Sequence, residues 1–381
     1  MVAVGHAIVD RIGFVDDAVV AAAGLAKGSM RLVDSAAELV VPGAGTPRWE
    51  WAAGSAGNTA AGLALLGSSV AFVGRVGEDA LGAAYAADMA SLGVELHPGR
   101  TLGNRQHLVS PIALSSAPAP PGAPAPPGAP APPGAAVPAA EPGPEEASGQ
   151  CLVLVTPDGE RTMTTYLGAS TTLGPPDLPA ELVARASVLY AEGYLWDSPG
   201  AVEAVDGALA SSGAGAGQVP TFALSLSDPF CVERHRDAFL ALASEKVGLL
   251  FANEAEIVAL TGLGSLDDAI GSVGGWGCVA AITRGAAGSV VVRGEELVQV
   301  PAVPVPEVVD TTGAGDLYAA GFLRAFVAGC TLEQCARLGS VAAGEVIGHV
   351  GARPVASLRS LAEAAGLLPL AGAGRLRPVA E

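Results

Sequence analysis

Short β-branched runs alternate with Ala- and Leu-rich segments along most of the 381-residue chain. Runs such as VGLLFAN (247–253) and VAAITRG (279–285) are typical of buried strands, and segments with helical spacing, such as 233–246, lie between the runs. Strands that alternate with helices form a mostly parallel sheet with helices on both faces. The alternation therefore predicts an α/β fold with a doubly wound sheet, in which ligands bind beyond the carboxyl ends of the strands. Three polar residues fall at such predicted ends: Asn253, Thr283 and Asp310.

The run DTTGAGD (310–316) is the strongest functional signal, because small residues separate an extended segment from a helix that opens on a carboxylate. The first N–H groups of a helix have no partner within it, and glycines let a phosphate oxygen approach the main chain closely. We therefore expect the amides of Gly313, Ala314 and Gly315 to stabilise a transferring phosphoryl group. Asp316 is the expected general base for the attacking hydroxyl. The structural alternative is a glycine-rich turn followed by a capping aspartate.

Composition argues against several classes of function. A formal net charge of −18, with no lysine- and arginine-rich block, disfavours nucleic-acid binding. The chain has two lysines, Lys27 and Lys246, and neither stands in a P-loop. If the protein binds ATP, main-chain amides, Mg²⁺ and arginine must neutralise the phosphates. Five cysteines without a C-x-x-C pair indicate reduced thiols in a cytoplasmic protein. We expect neither a transmembrane helix nor a secretory signal.

Together with the run at 310–316, the segment AGSAGNTA (53–60) resembles the two signatures of the PfkB, or ribokinase-like, carbohydrate and nucleoside kinases. The resemblance extends from residue 2 to about residue 356. One departure is Ala53, which stands where the family usually has the first glycine of a Gly-Gly pair. The resemblance implies a ribokinase-like fold, a mostly parallel sheet flanked by helices with a small β lid. It also implies the use of ATP and Mg²⁺, and in some members K⁺.

The resemblance also suggests boundaries. A kinase domain is expected over 1–365, with its lid drawn from parts of 11–50 and 97–170. Residues 116–149 contain three PAPPGA repeats and an acidic, proline-rich stretch, and they are predicted to be a disordered surface insertion. A flexible tail is expected over 366–381.

For the acceptor, the resemblance implies that Asp10 binds a pair of sugar hydroxyls and that Gly54 and Asn58 contact the same sugar. Asp10 is predicted to end the first strand, and a carboxylate there can accept two hydrogen bonds from a diol. The alternatives are a solvated turn for Asp10 and a helix cap for Asn58, at the start of a helix over 59–66.

For the nucleotide, Asn253 and Glu256 resemble the family's N-x-x-E element, which orders Mg²⁺ through its waters. The same spacing is also that of a helix capping box. The stretch TRGAAG (283–288) resembles a nucleotide loop. The predicted nucleotide-binding residues are Asn253, Thr283, Gly285, Gly288, Asp310 and Thr312.

Two further stretches, ERTMTTYLGA (160–169) and 336–354, resemble the adenosine kinase-like branch of the family. By that resemblance Arg161 reaches the transferring phosphoryl group, a role that suits a planar cation. The alternative is a hairpin arginine that follows the turn at 157–159.

The expected function is ATP-dependent phosphorylation of the primary hydroxyl of a nucleoside, with adenosine converted to AMP as in purine salvage. One alternative is a sugar kinase acting on ribose, fructose or a keto-deoxy sugar acid. A more distant one is a non-catalytic interaction protein that uses the proline-rich insertion. We expect a small-molecule substrate, no nucleic-acid or membrane partner, and a monomer or homodimer.

Overall fold

The β-branched runs form strands of one large sheet. The computed structural model describes residues 1–97, 147–158, 160–213 and 219–368. Among them, nine strands belong to this sheet: β1 Val2–Val4, β5 Ala71–Val73, β6 Glu95–His97, β9 Val188–Glu192, β10 Thr221–Ser225, β11 Leu249–Asn253, β12 Val279–Thr283, β13 Ser289–Arg293 and β14 Glu296–Val300. Their order is β14-β13-β12-β11-β10-β9-β1-β5-β6, and all pairs are parallel except those of the hairpin β12-β13-β14. The predicted α/β fold is confirmed.

Helices bury both faces of this sheet. Along β9, Val188 and Tyr190 belong to one core, and Leu189 and Ala191 belong to the other. Strands buried on both faces read as continuous apolar runs, which is why the sequence pattern was clear. One face is covered by α2 Ser55–Leu65, α3 Ala80–Ser91, α9 Ala314–Val327, α10 Leu332–Val346 and α11 Leu358–Ala364. The other is covered by α4 Ala180–Val183, α5 Pro199–Gly213, α6 Pro229–Glu245, α7 Glu254–Thr261 and α8 Leu266–Val273.

A smaller sheet, here called the lid sheet, is drawn from residues 8–53 and 149–166. Its strands are β2 Ile8–Phe14, β3 Met30–Leu32, β4 Trp49–Ala53, β7 Gly149–Val155 and β8 Arg161–Tyr166, in the order β3-β8-β7-β2-β4. The short helix α1 Asp17–Ala22 packs on one face through Val20. The opposite face, here called the inner face, carries Asp10 and an apolar cluster that includes Trp49 and Trp51.

Two predicted strand ends are wrong. Asp10 does not end the first strand, because β1 stops at Val4 and Asp10 is the third residue of the separate lid strand β2. Asp310 does not end a strand either. β14 ends at Val300, and in the described structure the proline-rich residues 301–309 join no sheet, since proline cannot donate to a ladder.

The predicted insertion and tail fall mostly outside the described residues, which exclude 116–146 and 369–381. Residues 147–149 of the predicted insertion and 366–368 of the predicted tail are ordered parts of the fold. Ser148 donates its backbone N–H to Asp79 Oδ2 at 2.7 Å, just before β7 begins, so the insertion is shorter than 116–149. Leu367 is buried against the core, so residues 366–368 are not part of a loose tail. Among the described helices, none is long and apolar enough to cross a membrane.

Candidate active site

The first turn of α9 holds Asp316 against α2. Gly313 caps α9 with a φ of +77°, a conformation that favours glycine and turns the chain into the helix. The Asp316 carboxylate accepts hydrogen bonds from Ser55 Oγ at 2.6 Å and from Asn58 Nδ2 at 2.9 Å. The two predicted signatures therefore meet at one carboxylate, 258 residues apart in sequence for Asn58.

The position before α2 accepts only glycine. Gly54 caps α2 with a φ of +90°, and a Cβ there would lie 2.1 Å from the carbonyl oxygen of His6. Because α2 begins at Ser55, Asn58 lies inside the helix, and the alternative that it caps a helix over 59–66 is wrong. Asn58 is buried, and its Oδ1 has no hydrogen-bond partner among the described residues.

Asp10 faces the same cleft from the lid sheet. It pairs with Trp51 on β4 and with Cys151 on β7. Burial raises the pKa of Asp10 to about 7, and the neighbouring Asp316 acts in the same direction.

Arg161 connects the lid sheet to the glycine-rich run. Its guanidinium donates to Asp310 Oδ2 and to Thr312 Oγ1. Asp310 Oδ2 also accepts the N–H of Gly351 at 2.7 Å, and Asp310 Oδ1 accepts the N–H of Thr312 at 2.9 Å. Both oxygens of this buried carboxylate are therefore satisfied within the protein, with arginine as the positive partner. A cavity of about 200 Å³ adjoins the ion pair, lined by Glu160, Arg161, Val308, Val309, Asp310 and Thr311.

Asn253 and Glu256 form the capping box that was the structural alternative. Asn253 Oδ1 accepts the N–H of Glu256 at 2.8 Å, and the Glu256 carboxylate accepts the N–H and Nδ2 of Asn253 at 2.9 and 2.6 Å. Among the described residues, no group of three His, Cys, Asp or Glu side chains is placed to hold a metal ion. The expected contact of Glu256 with Mg²⁺ through water stays a prediction.

The predicted nucleotide loop lies beside this capping box, because Thr283 pairs with Asn253 at the carboxyl ends of β12 and β11. Gly285 is exposed on the turn with a φ of +53°. Gly288 is explained by packing, since a Cβ there would lie 2.0 Å from the carbonyl oxygen of Val300. The loop combines one exposed and one structural glycine.

Comparison with known proteins matches residues 32–107 and 142–358 to the pfkB family carbohydrate kinase model. The fold is similar to that of an adenosine kinase from Sinorhizobium meliloti, with a TM-score of 0.77. The two sequences are 39% identical, and the match covers 96% of this chain and 98% of that chain.

The chain belongs to the PfkB family.

Another similar structure, a probable sugar kinase from Rhizobium etli, has 36% identity and a TM-score of 0.78, with the same coverage. A cytidine kinase from Thermococcus kodakarensis is 39% identical over 117 residues, which cover 30% of this chain and 41% of that protein. The chain thus spans less than half the length of this curated relative. PfkB proteins are phosphotransferases, and these relatives are named for nucleosides and for sugars alike.

Three residues of the candidate site were missed by the sequence analysis. Ser55 stands inside the recognised signature, yet nothing local marks it as a donor to Asp316. Glu192, at the end of β9, accepts the N–H groups of His6 at 2.8 Å and of Ala56 at 2.7 Å. Arg353 was noted only as part of the adenosine kinase-like stretch. An acidic residue closing the apolar run SVLYAE (187–192) was the available signal for Glu192.

Burial raises the pKa of three acids in this candidate site. Burial raises the pKa of Glu192 and of Glu256 to about 7 each. Burial also raises the pKa of Asp316, while the hydrogen bonds from Ser55 and Asn58 and the charge of Arg353 lower it. Asp316 is a half-buried base whose pKa is raised by desolvation and whose donors favour its charged form.

Proposed function

We propose that the protein transfers a phosphoryl group from ATP to the primary hydroxyl of a nucleoside, with adenosine as the first candidate. The observation that carries this proposal is the Asp316 carboxylate, which Ser55 and Asn58 hold at the N-terminus of α9. A general base needs this combination of a fixed position and a pKa raised toward neutrality.

In the proposed reaction, Asp316 accepts the proton of the attacking hydroxyl. Its hydrogen bonds from Ser55 and Asn58 orient one lone pair of the carboxylate toward the acceptor. The free Oδ1 of Asn58 can accept a hydrogen bond from a second substrate hydroxyl, which would satisfy a buried polar atom. Asp10, on the lid sheet, would bind further hydroxyls of the same substrate.

The first turn of α9 fits the charge of a phosphoryl group. When bound, ATP with Mg²⁺ supplies the phosphoryl group and neutralises charge on the phosphates. A Cβ at Gly315 would meet nothing within 4 Å, so the main chain is open to a ligand there. Ala314 donates its N–H to Thr311 O at 3.2 Å, so we assign the cradle mainly to the amides around Gly315. Arg161 would contribute positive charge beside it.

The inner face of the lid sheet favours a substrate with an aromatic base over a bare sugar. Trp51 is the cross-strand neighbour of Asp10, and it stacks with Trp49 at a centroid distance of 5.9 Å and an interplanar angle of 11°. The Trp51 ring lies over Gly351, where a Cβ would come within 2.8 Å of it. An apolar, aromatic wall beside a hydroxyl-binding carboxylate suits a nucleoside, which has both surfaces.

A panel of acceptors tests the proposal. ADP release should be fastest with adenosine or another nucleoside, and slow with ribose, fructose and keto-deoxy sugar acids. Asp316→Asn should lower kcat by at least about 10²-fold, because the amide cannot accept the proton, while ATP binding stays near wild type. Faster turnover of a sugar would favour the sugar-kinase alternative, and wild-type kcat in Asp316→Asn would remove Asp316 from the role of base.

A further inference from the structure

Arg353 lies in the connection between α10 and α11 and reaches three other elements. Its Nε donates to the carbonyl oxygen of Ala52 at 3.0 Å, and its Nη1 donates to that of Gly57 at 3.2 Å. Its Nη2 lies 3.4 Å from Met89 Sδ, on α3. The side chain is only 17% exposed. One guanidinium therefore joins the end of lid strand β4, the first turn of α2, and α3.

The two carbonyls that Arg353 binds lie on either side of Gly54. Between them the chain passes from the lid sheet into α2, and it presents Ser55 to Asp316 on the way. Glu192 holds the same turn from the opposite side through the N–H of Ala56. Arg353 thus binds two carbonyls of this turn and Glu192 binds one of its amides, although both residues are distant in sequence.

We propose that Arg353 is a positioning residue that fixes the turn 52–58 between lid and large domain, and so holds Ser55 and Asn58 in place against Asp316. This inference rests on the proposed function of Asp316. It adds that a residue outside both signatures sets the geometry and the charge around that carboxylate.

The charge of Arg353 acts on the same site. Arg353 forms hydrogen bonds to neutral carbonyls, and the carboxylate it pairs with, Asp88, is 3.7 Å away. Its field lowers the pKa of Asp10 and of Asp316, both of which burial raises. The other titratable groups that interact with Asp316 are Asp10 from the lid sheet, Tyr190 and Glu192 from β9, and Glu256 from α7. All four are acids, and Arg353 is the cation whose charge lowers the pKa of Asp316.

The test compares the pH dependence of kcat/KM for three variants. Arg353→Met removes the charge and the donors, and it should lower kcat by up to about 10²-fold and move the acidic limb to higher pH, because Asp316 then protonates more readily. Arg353→Lys keeps the charge but cannot donate to both carbonyls as the guanidinium does. The acidic limb of its pH profile should therefore stay at the wild-type position while kcat falls. The control is Arg359→Met on α11, where an exposed arginine pairs with Glu363, and its profile should match wild type.

Melting temperatures show which variants are folded in the assay. If Arg353→Met is unfolded, Arg353→Gln replaces it, since it keeps a donor for the carbonyls without the charge and should show the same shift of the limb. A wild-type kcat in folded Arg353→Met or Arg353→Lys would overturn the positioning role, and a limb at the wild-type pH in the neutral variants would overturn the effect of charge. Either result leaves the proposed function standing. Failure of the proposed function would appear differently, as a wild-type enzyme that phosphorylates no acceptor.

Discussion

Gly54→Ala should damage both stability and activity, although it adds a single methyl group. Gly54 has a φ of +90° and a ψ of 135°, a backbone conformation that costs an alanine ~1–3 kcal/mol. The new Cβ would also lie 2.1 Å from His6 O, and real Cβ contacts essentially never fall below 3.0 Å. The turn must therefore move by about 0.9 Å, the gap between those two distances.

That displacement acts directly on the proposed base. Passed on in full, it would stretch the hydrogen bonds of Asp316 from 2.6 Å (Ser55) and 2.9 Å (Asn58) to about 3.5 and 3.8 Å, at or beyond the limit of a hydrogen bond. A hydrogen bond to a charged group contributes ~1.5–3 kcal/mol. We expect the free energy of unfolding to fall by about 3 kcal/mol or more, and kcat to fall by about 10²-fold.

Urea unfolding and steady-state ADP release measure the two effects, and Gly93→Ala is the matched control. Gly93 has a φ of +80°, close to that of Gly54, but a Cβ there meets nothing within 4 Å. It should lose only the conformational ~1–2 kcal/mol and keep wild-type kcat. Equal losses of stability in the two variants, with unchanged kcat in Gly54→Ala, would refute the reasoning.

Three further predictions concern the lid and the buried acids. Arg161→Met leaves the buried Asp310 carboxylate without its cation, which should lower the free energy of unfolding by about 3 kcal/mol or more. The double variant with Asp310→Asn should lose less stability than the sum of the two single variants. Additive losses in urea unfolding would contradict this coupling. Trp51→Ala should raise KM for nucleosides about tenfold, because base stacking is worth ~1–3 kcal/mol, and leave KM for ribose unchanged; a parallel rise for ribose would show that Trp51 does not face a base. The free energy of unfolding should fall as pH rises from about 4.5 to 7, because Glu192 has a pKa of about 7 when folded and an ordinary value of 4.5, so that its protonated form stabilises the fold and that stabilisation is lost on ionisation. Urea midpoints from pH 5 to 8 measure this. Glu192→Gln should make the trend less steep, while Asp10 and Glu256, which also have a pKa of about 7, keep part of it; midpoints that rise with pH would contradict the prediction.

Features fixed by neighbouring residues were predictable from the sequence. The alternation of strands and helices, the capping box at Asn253 and the helix that opens at Ala314 each depend on residues within a few positions of one another. The boundaries that failed depended on longer-range pairing. Asp10 was placed at a strand end because VAVGHAIVD reads as one apolar run, and only the tertiary structure divides it between two sheets.

The sequence by itself determined the class of fold, the two glycine-rich turns and the identity of the proposed base. Tertiary structure alone decided which groups surround that base. Ser55 and Asn58 come from α2, and Glu192 and Arg353 bind the turn 52–58. The physical reason is that hydrogen bonds and burial link residues up to 301 positions apart, as in the contact between Arg353 and Ala52. Protonation is set by those same contacts, so the pKa of each acid in the cleft is a property of the folded protein and cannot be read from its local sequence.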